Sequence, residues 1–172
     1  MPQPAKPRIL ITGFVPFGGE IVNPSLQIAH ALHDQQIAGH VVVAGQLPTV
    51  FGDALQALGV QLRKHRPVLV MCLGQAGGRK ALSFERVAIN VNDARIPDNA
   101  HQQPIDTPVI KDGPVGYFST LPIKAMASAA QQAGSASEIS QSAGTFVCNH
   151  VFYGLMHSLH SNVVFVPGNW PY

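Results

Sequence analysis

Over the first 75 residues, short apolar runs alternate with helical periodicities. Ile9, Leu10, Ile11 and Thr12 form an apolar, β-branched run that stops at Gly13, which predicts a buried strand with a loop after it. The loop over 13–23 carries Phe14, Phe17 and the pair Gly18-Gly19. Pro24 and Ser25 then open a helical pattern through Leu26, Ile28, Ala29 and Leu32, with proline in the first turn. A second strand is predicted over 41–47 and a second helix over 50–62, with Arg63, Lys64 and His65 near its end and Pro67 closing it. Residues 68–73 are continuously apolar and end on Gly74, predicting a third strand. Three strands alternating with two helices predict a largely parallel sheet covered on both faces.

The rhythm then changes. Over 84–119 a short strand-like start in VAIN gives way to turn chemistry at Asp93, Pro97, Asp98 and Asn99, which predicts a long excursion with hairpins rather than a second domain. An alanine-rich helix is predicted over 122–132, stopped by Gly134. The polar segment 136–142 is a further candidate strand. After Gly144, the residues Phe146, Val147, Val151, Phe152, Leu155, Met156 and Leu159 recur at helical spacing and put Cys148 and His150 near the start of a helix. Residues 163–166 predict a last short strand. No internal repeat or heptad is visible.

A length of 172 residues fits one domain, taken as 1–172. Hydrophobic residues make up 46% and charged ones 12%, which excludes disorder as the main state. A net charge of +2 with no Lys/Arg run gives no footprint for nucleic acid or an anionic membrane, and the sparse charge points to surface buried in a homo-oligomer. Cys72 and Cys148 sit in apolar sequence without CxxC spacing, so reduced thiols in a cytoplasmic protein are expected, with no structural zinc. The first eight residues, with Pro2, Pro4 and Pro7, do not read as a secretory signal, and no run approaches the roughly 20 apolar residues of a membrane span.

For chemistry, Cys148 comes first, because a glycine turn followed by a helix would hold its sulfur at a helix N-terminus, where a thiolate is favoured. Two readings are open: an inert apolar filler, or a nucleophile whose TFVC turn also offers N–H groups to an oxyanion. Cys72, inside the apolar run, reads as core. A nucleophilic cysteine needs a basic partner, yet none of the eight histidines announces itself by spacing. His150, two residues on, points away on a helix, and His157 and His160 lie on later turns. Glu85 is either the partner of Arg79, Arg86 or Arg95, or a carboxylate that orients an imidazole. Asp93, Arg95 and Asp98 read as turn and network residues. GQAGGR at 74–79 and GFVPFGG lack the phosphate-binding glycine orders, so no nucleotide is expected. Phe14 and Phe17, at the carboxyl end of the first strand, are either walls of an apolar slot or core aromatics.

Together, TGFVPFGG with NPS, GQAGGR, FERVAINVNDARIPDN, QPID, DGP, YFSTLPIKAM and AGTFVCNH strongly resemble the pyroglutamyl-peptidase I family, also called pyrrolidone-carboxylate peptidases. The resemblance runs from Ile9 to about Leu159. It implies a cytosolic cysteine exopeptidase that removes an N-terminal pyroglutamyl residue from peptides. It also implies a three-layer α/β/α fold with a mostly parallel central sheet, no metal or organic cofactor, and commonly a homotetramer. Carried over, Cys148 matches the nucleophile and Glu85 the catalytic acidic residue. Phe14, Phe17 and Phe146 match aromatics of the pyroglutamyl pocket, and Arg95 a structural position with oxyanion support as the lesser role. Aromatic walls suit a small, flat, uncharged lactam.

The departure is at the C-terminus. The family's third catalytic residue is a histidine in a segment resembling GFIHVP; the nearest match here is NVVFVP, so Phe165 stands in the histidine's place. The residues after Pro167 do not resemble the family's continuation, so its C-terminal helix is expected to be lacking. Phenylalanine can neither take a proton from a thiol nor give one to an amine. Three accounts follow: a family fold with impaired chemistry, recruitment of His157 or His160, or a tail from a truncated or altered reading of a normal gene. The first is favoured. The rival class is an inactive homologue that binds pyroglutamyl peptides or serves a structural role.

Overall fold

The structure, a computed structural model, describes residues 6–161. Phe165 and the strand expected over 163–166 lie outside the described residues. The described residues divide into two compact units, one running through Gln75 and including Pro97–Gln102, the other holding Ala76–Ile96 and residues 103–161.

In the first unit, β1 (Arg8–Phe14) is followed by α1 (Pro24–Ala31), β2 (Gln36–Ile37), β3 (His40–Leu47), α2 (Asp53–His65) and β4 (Leu69–Cys72). β1 lies between β3 and β4, parallel to both, and the two-residue β2, which the apolar pattern did not predict, adds antiparallel to β3. Alternation along β1 sorts the two faces. Ile9 and Ile11 pack with Val42, Ala44, Met71, Leu73 and Ala29 of α1. On the other face the side chains of Leu10 and Thr12, and that of Gln61 from α2, all lie around Gly45. The expected helix-covered parallel sheet is present. Cys72 pairs in register with Thr12 and is half-buried rather than full core, and burial of its sulfur pushes the thiol up to about 11.

The NPS motif is the cap of α1. Asn23 accepts the Ser25 N–H at 3.1 Å and its amide donates to the Val15 carbonyl at 3.3 Å, while Ser25 Oγ accepts the Phe14 N–H at 3.0 Å. Thus the cap ties the end of β1 to the start of α1. The second helix begins at Asp53, later than the pattern predicts, because Gly52 stands before it with φ +77° and ends the turn over Val50–Gly52. Asp98 behaves as the expected network residue. It is buried, accepts the Phe51 N–H at 2.9 Å on one oxygen and those of Ala100 and Gln102 at 2.8 Å each on the other.

The second unit holds β5 (Leu82–Glu85), β6 (Val87–Ile89), β7 (Gly116–Phe118), α3 (Ile123–Gln132), β8 (Ser137–Ser140) and α4 (Val147–Ser161). β5 pairs parallel with β8, and α3 packs on both. β6 and β7 pair antiparallel, and α4 packs on them. The excursion with hairpin pairing is therefore present. β5 itself was missed: its pattern is short and half polar, and it is a strand because β8 pairs with it. The polar segment 136–142 does contain a strand for the same reason.

Candidate active site

Parallel pairing of β5 and β8 sets the geometry. Glu85 and Ser140 are partners in register at the carboxyl ends of these strands, and the Arg86 N–H donates to the Ser140 carbonyl at 2.9 Å. Residues 141–146 then lead to α4. Gly144 has φ +78°, a backbone that glycine adopts without strain. Phe146 is half-buried, and its carbonyl accepts the His150 N–H at 3.1 Å, so the helical ladder begins there. Cys148 lies in the first turn and is partly exposed. Negative charge on a sulfur at this end is favoured by the helix dipole.

The carboxylate of Glu85 is held on one side only. Its Oε1 accepts from Arg79 at 3.0 Å, and the same guanidinium donates to the Ser142 carbonyl at 3.3 Å, so Arg79 bridges the end of β5 and the loop that leads to Cys148. The other oxygen, Oε2, is buried without a partner among the described residues. An acceptor left in this state has its full desolvation cost uncompensated until an N–H or O–H reaches it. Of the three arginines open as partners of Glu85, Arg79 is the one that pairs. Arg95 is exposed.

The segment that follows Glu85 is fastened to the start of α4. Thr145 Oγ1 donates to the Asp93 carbonyl at 2.7 Å and the Asp93 N–H donates back to the Thr145 carbonyl at 3.0 Å. Asn149, fully buried, bonds the backbone of Ile89 and Val91. His150 Nδ1 sits 3.0 Å from the Asn92 side-chain oxygen, an arrangement in which Nδ1 carries the proton.

Burial lowers the His150 pKa to about 4, so the ring is neutral near pH 7. The unfolded chain takes up this proton more readily than the folded one. Stability is therefore complete above the ordinary histidine value near 6.5 and is lost as pH falls toward 4, by roughly 3 kcal/mol in total. Denaturant midpoints measured from pH 7.5 to 4.5 should fall with that sign, and a His150→Gln variant should lose this share of the slope.

The other two histidines of α4 do not serve Cys148. At nine and twelve residues further along, they lie about 14 and 18 Å away along the axis. His157 Nδ1 is 2.8 Å from the Tyr117 hydroxyl, and His160 Nδ1 is 2.8 Å from the Met156 carbonyl, with its ring stacked on Tyr117 at 4.7 Å. Recruitment of His157 or His160 is set aside on this geometry. In the first unit, Phe14 is buried at the end of β1 and Phe17 is half-buried in the loop after it. Among the described residues no group of three His, Cys, Asp or Glu side chains is placed to hold a metal ion, and no helix is long and apolar enough to cross a membrane. A surface hollow of about 470 Å³ beside β7 and α3 is lined by Arg86, Phe118, Leu121 and Lys124. It contains neither Cys148 nor Glu85 in its wall, so side-chain chemistry rather than cavity volume marks the site.

A sequence profile of the pyroglutamyl peptidase family matches residues 7–170. The chain belongs to the pyroglutamyl peptidase family. It is 54% identical over 151 residues to the pyrrolidone-carboxylate peptidase of Bacillus cytotoxicus, a match that covers 88% of this chain and 70% of the relative. It is likewise 54% identical over 153 residues to that of Yersinia pestis, covering 89% and 71%. Among solved structures, pyroglutamyl peptidase I from Bacillus amyloliquefaciens superposes with a TM-score of 0.88 at 45% identity, covering 91% of this chain and 75% of that one. A mutant pyrrolidone carboxyl peptidase from Pyrococcus furiosus gives 0.87 at 41%, covering 90% and 74%.

The expected family and the α/β fold are therefore both found, and by family the chain is a pyroglutamyl-peptidase-type cysteine peptidase. Around the candidate site of this pyroglutamyl peptidase family member, one partner was left open by the sequence and one residue was not singled out. Arg79 was only one of three candidate partners for Glu85, since nothing local separates three arginines. Asn149 carried no signal, because an asparagine after a cysteine looks the same whether it faces water or a strand.

Proposed function

We propose that the chain hydrolyses the bond after an N-terminal pyroglutamyl residue, with Cys148 as nucleophile and Glu85 as the acidic partner. The Cys148 sulfur attacks the carbonyl that joins pyroglutamate to the next residue, forming a C–S bond as the C–N bond breaks and the amine leaves with a proton. Water then cleaves the thioester, releasing pyroglutamic acid and restoring the thiol. Backbone N–H groups around the first turn of α4 would hold the oxyanion. Phe14, Phe17 and Phe146 would supply aromatic surface to the lactam, whose lack of charge separates it from ordinary amino termini.

The observation that carries this reading is the in-register pairing of Glu85 with Ser140, from which the chain leads directly to Cys148 at the start of α4. The unpartnered Oε2 of Glu85 adds an acceptor suited to an imidazole N–H. With Phe165 where the family's histidine stands, proton transfer is impaired, so turnover is expected below that of histidine-bearing relatives. The test is release of chromophore from a pyroglutamyl amide by the folded chain, beside a Phe165→His variant. Gain of rate in the variant supports the reading. Calorimetric binding of a pyroglutamyl dipeptide with no turnover in either protein would instead favour the binding homologue, and neither binding nor turnover would overturn both.

A further inference from the structure

Asn149 makes three bonds to backbone groups through its side chain. It is fully buried and uses its whole amide: Oδ1 accepts the Ile89 N–H at 3.0 Å, and Nδ2 donates to the carbonyls of Ile89 at 2.9 Å and Val91 at 3.0 Å. Ile89 thus gives both of its backbone polar groups to one side chain, as it would to a neighbouring strand. Ile89 ends β6, whose other edge is paired with β7, so the amide continues the ladder on an edge where no strand pairs among the described residues. Adding the carbonyl of Val91, two residues on and on the same side of the chain, fixes the direction of the side chain as well as its position.

We infer that Asn149 is the positioning residue for Cys148, holding the first turn of α4 against the chain that continues from Glu85. The inference rests on the reading of Cys148 as nucleophile. Cys148 is the adjacent residue on the same helical turn, so three bonds from the Asn149 side chain restrain its Cα relative to residues 89–91. The flanking contacts act in the same sense: Thr145 Oγ1 donates to the Asp93 carbonyl, and His150 Nδ1 meets the Asn92 side-chain oxygen. A displacement of about 1 Å at a reacting atom lowers rate by roughly 100-fold, so a link of this kind acts on the chemical step rather than on substrate affinity.

The test compares Asn149→Ala and Asn149→Asp with Tyr153→Phe, a change in the same helix that removes the 2.6 Å bond from the tyrosine hydroxyl to the Pro114 carbonyl. Asn149→Asp keeps the shape and the acceptor for the Ile89 N–H while removing both donors. Two quantities are read: the rate of alkylation of Cys148 by iodoacetamide and by a pyroglutamyl chloromethyl ketone, followed by mass spectrometry at that residue, and kcat and KM on the pyroglutamyl amide in a Phe165→His background.

The Asn149 variants should lose roughly 10- to 100-fold in the rate of alkylation by the ketone and in kcat, and about 10-fold in the rate of alkylation by iodoacetamide, with KM within about 2-fold. Tyr153→Phe should lose thermal stability yet keep both quantities. Unchanged alkylation and kcat in a folded Asn149 variant would overturn the inference. So would failure of both Asn149 variants to fold while Tyr153→Phe folds, since the bonds would then support the whole unit and not one side chain. If the parent chain shows no ketone preference and no turnover, the pyroglutamyl reading fails. The iodoacetamide rates at Cys148 then still decide the role of Asn149, a fall of about 10-fold supporting it and rates within about 2-fold overturning it.

Discussion

Replacing Cys148 with alanine is expected to lower turnover of a pyroglutamyl amide by at least about 10⁴-fold, in the chain itself or in the Phe165→His background. The size of the loss follows from the mechanism. Without the sulfur there is no acyl-enzyme, and the remaining donors can only stabilise attack by water, which is a far weaker catalyst. The measurement is chromophore release at high enzyme concentration, with circular dichroism to show that the variant is folded. Cys72→Ala is the matched control. Its thiol, pushed up to about 11 and paired beside Thr12 within the sheet, is not ionised near neutrality, so its removal should leave turnover unchanged. Turnover in Cys148→Ala equal to that of the parent would end the assignment of the nucleophile.

The second large effect is on stability. Gly13 lies where the end of β1 meets the first turn of α1. A Cβ built there would come within 2.5 Å of the Leu26 Cα and N and closer still to the Ser25 carbonyl oxygen. These are backbone atoms of a capped helix and cannot swing aside as the tip of a long side chain can. Gly13→Ala should therefore force α1 away from the sheet and break the bond from the Phe14 N–H to Ser25 Oγ. A loss of roughly 3 kcal/mol or more is expected. At this chain length it corresponds to a fall of about 6–12 °C in the unfolding midpoint, read by calorimetry. Gly19→Ala tests whether crowding is the cause. A Cβ at Gly19 meets nothing within 4 Å, so its effect should be limited to the strain of φ +83°.

The contrast between Gly13 and β5 shows what was legible in the sequence. The run from Ile9 to Thr12 is buried on both faces, so nearly every position is apolar and the strand is visible without knowledge of its neighbours. β5 has the sequence Leu-Ser-Phe-Glu, in which Leu82 is exposed and Ser83 and Glu138 bond across the pair at 2.7 Å. Its strand character comes from β8, more than fifty residues away, and no local window contains that partner. The start of α2 was misjudged for a different reason. Val50 and Phe51 fit the helical spacing, but both are buried in a turn before Gly52, and burial alone does not distinguish a turn from a helix.

Chemistry followed the same division. Placing Cys148 at a helix start needed only the glycine turn and the apolar periodicity after it. Choosing Arg79 over Arg86 and Arg95 needed the fold, because the choice depends on which guanidinium also reaches the Ser142 carbonyl. The fastening of Asn149 to Ile89 and Val91 spans about sixty residues and involves backbone groups, which leave no mark on side-chain pattern.

The pairing of Glu85 with Ser140 has one further consequence. A parallel ladder cannot close through a tight turn, so these two strand ends meet only after the intervening hairpin pairing and α3 have been accommodated. Contacts between such distant positions form slowly compared with local helices. During synthesis or refolding, a chain can thus acquire most of its helical content while its thiol and carboxylate are still strangers, which delays the proposed catalytic pairing until the strands that lead to it have met.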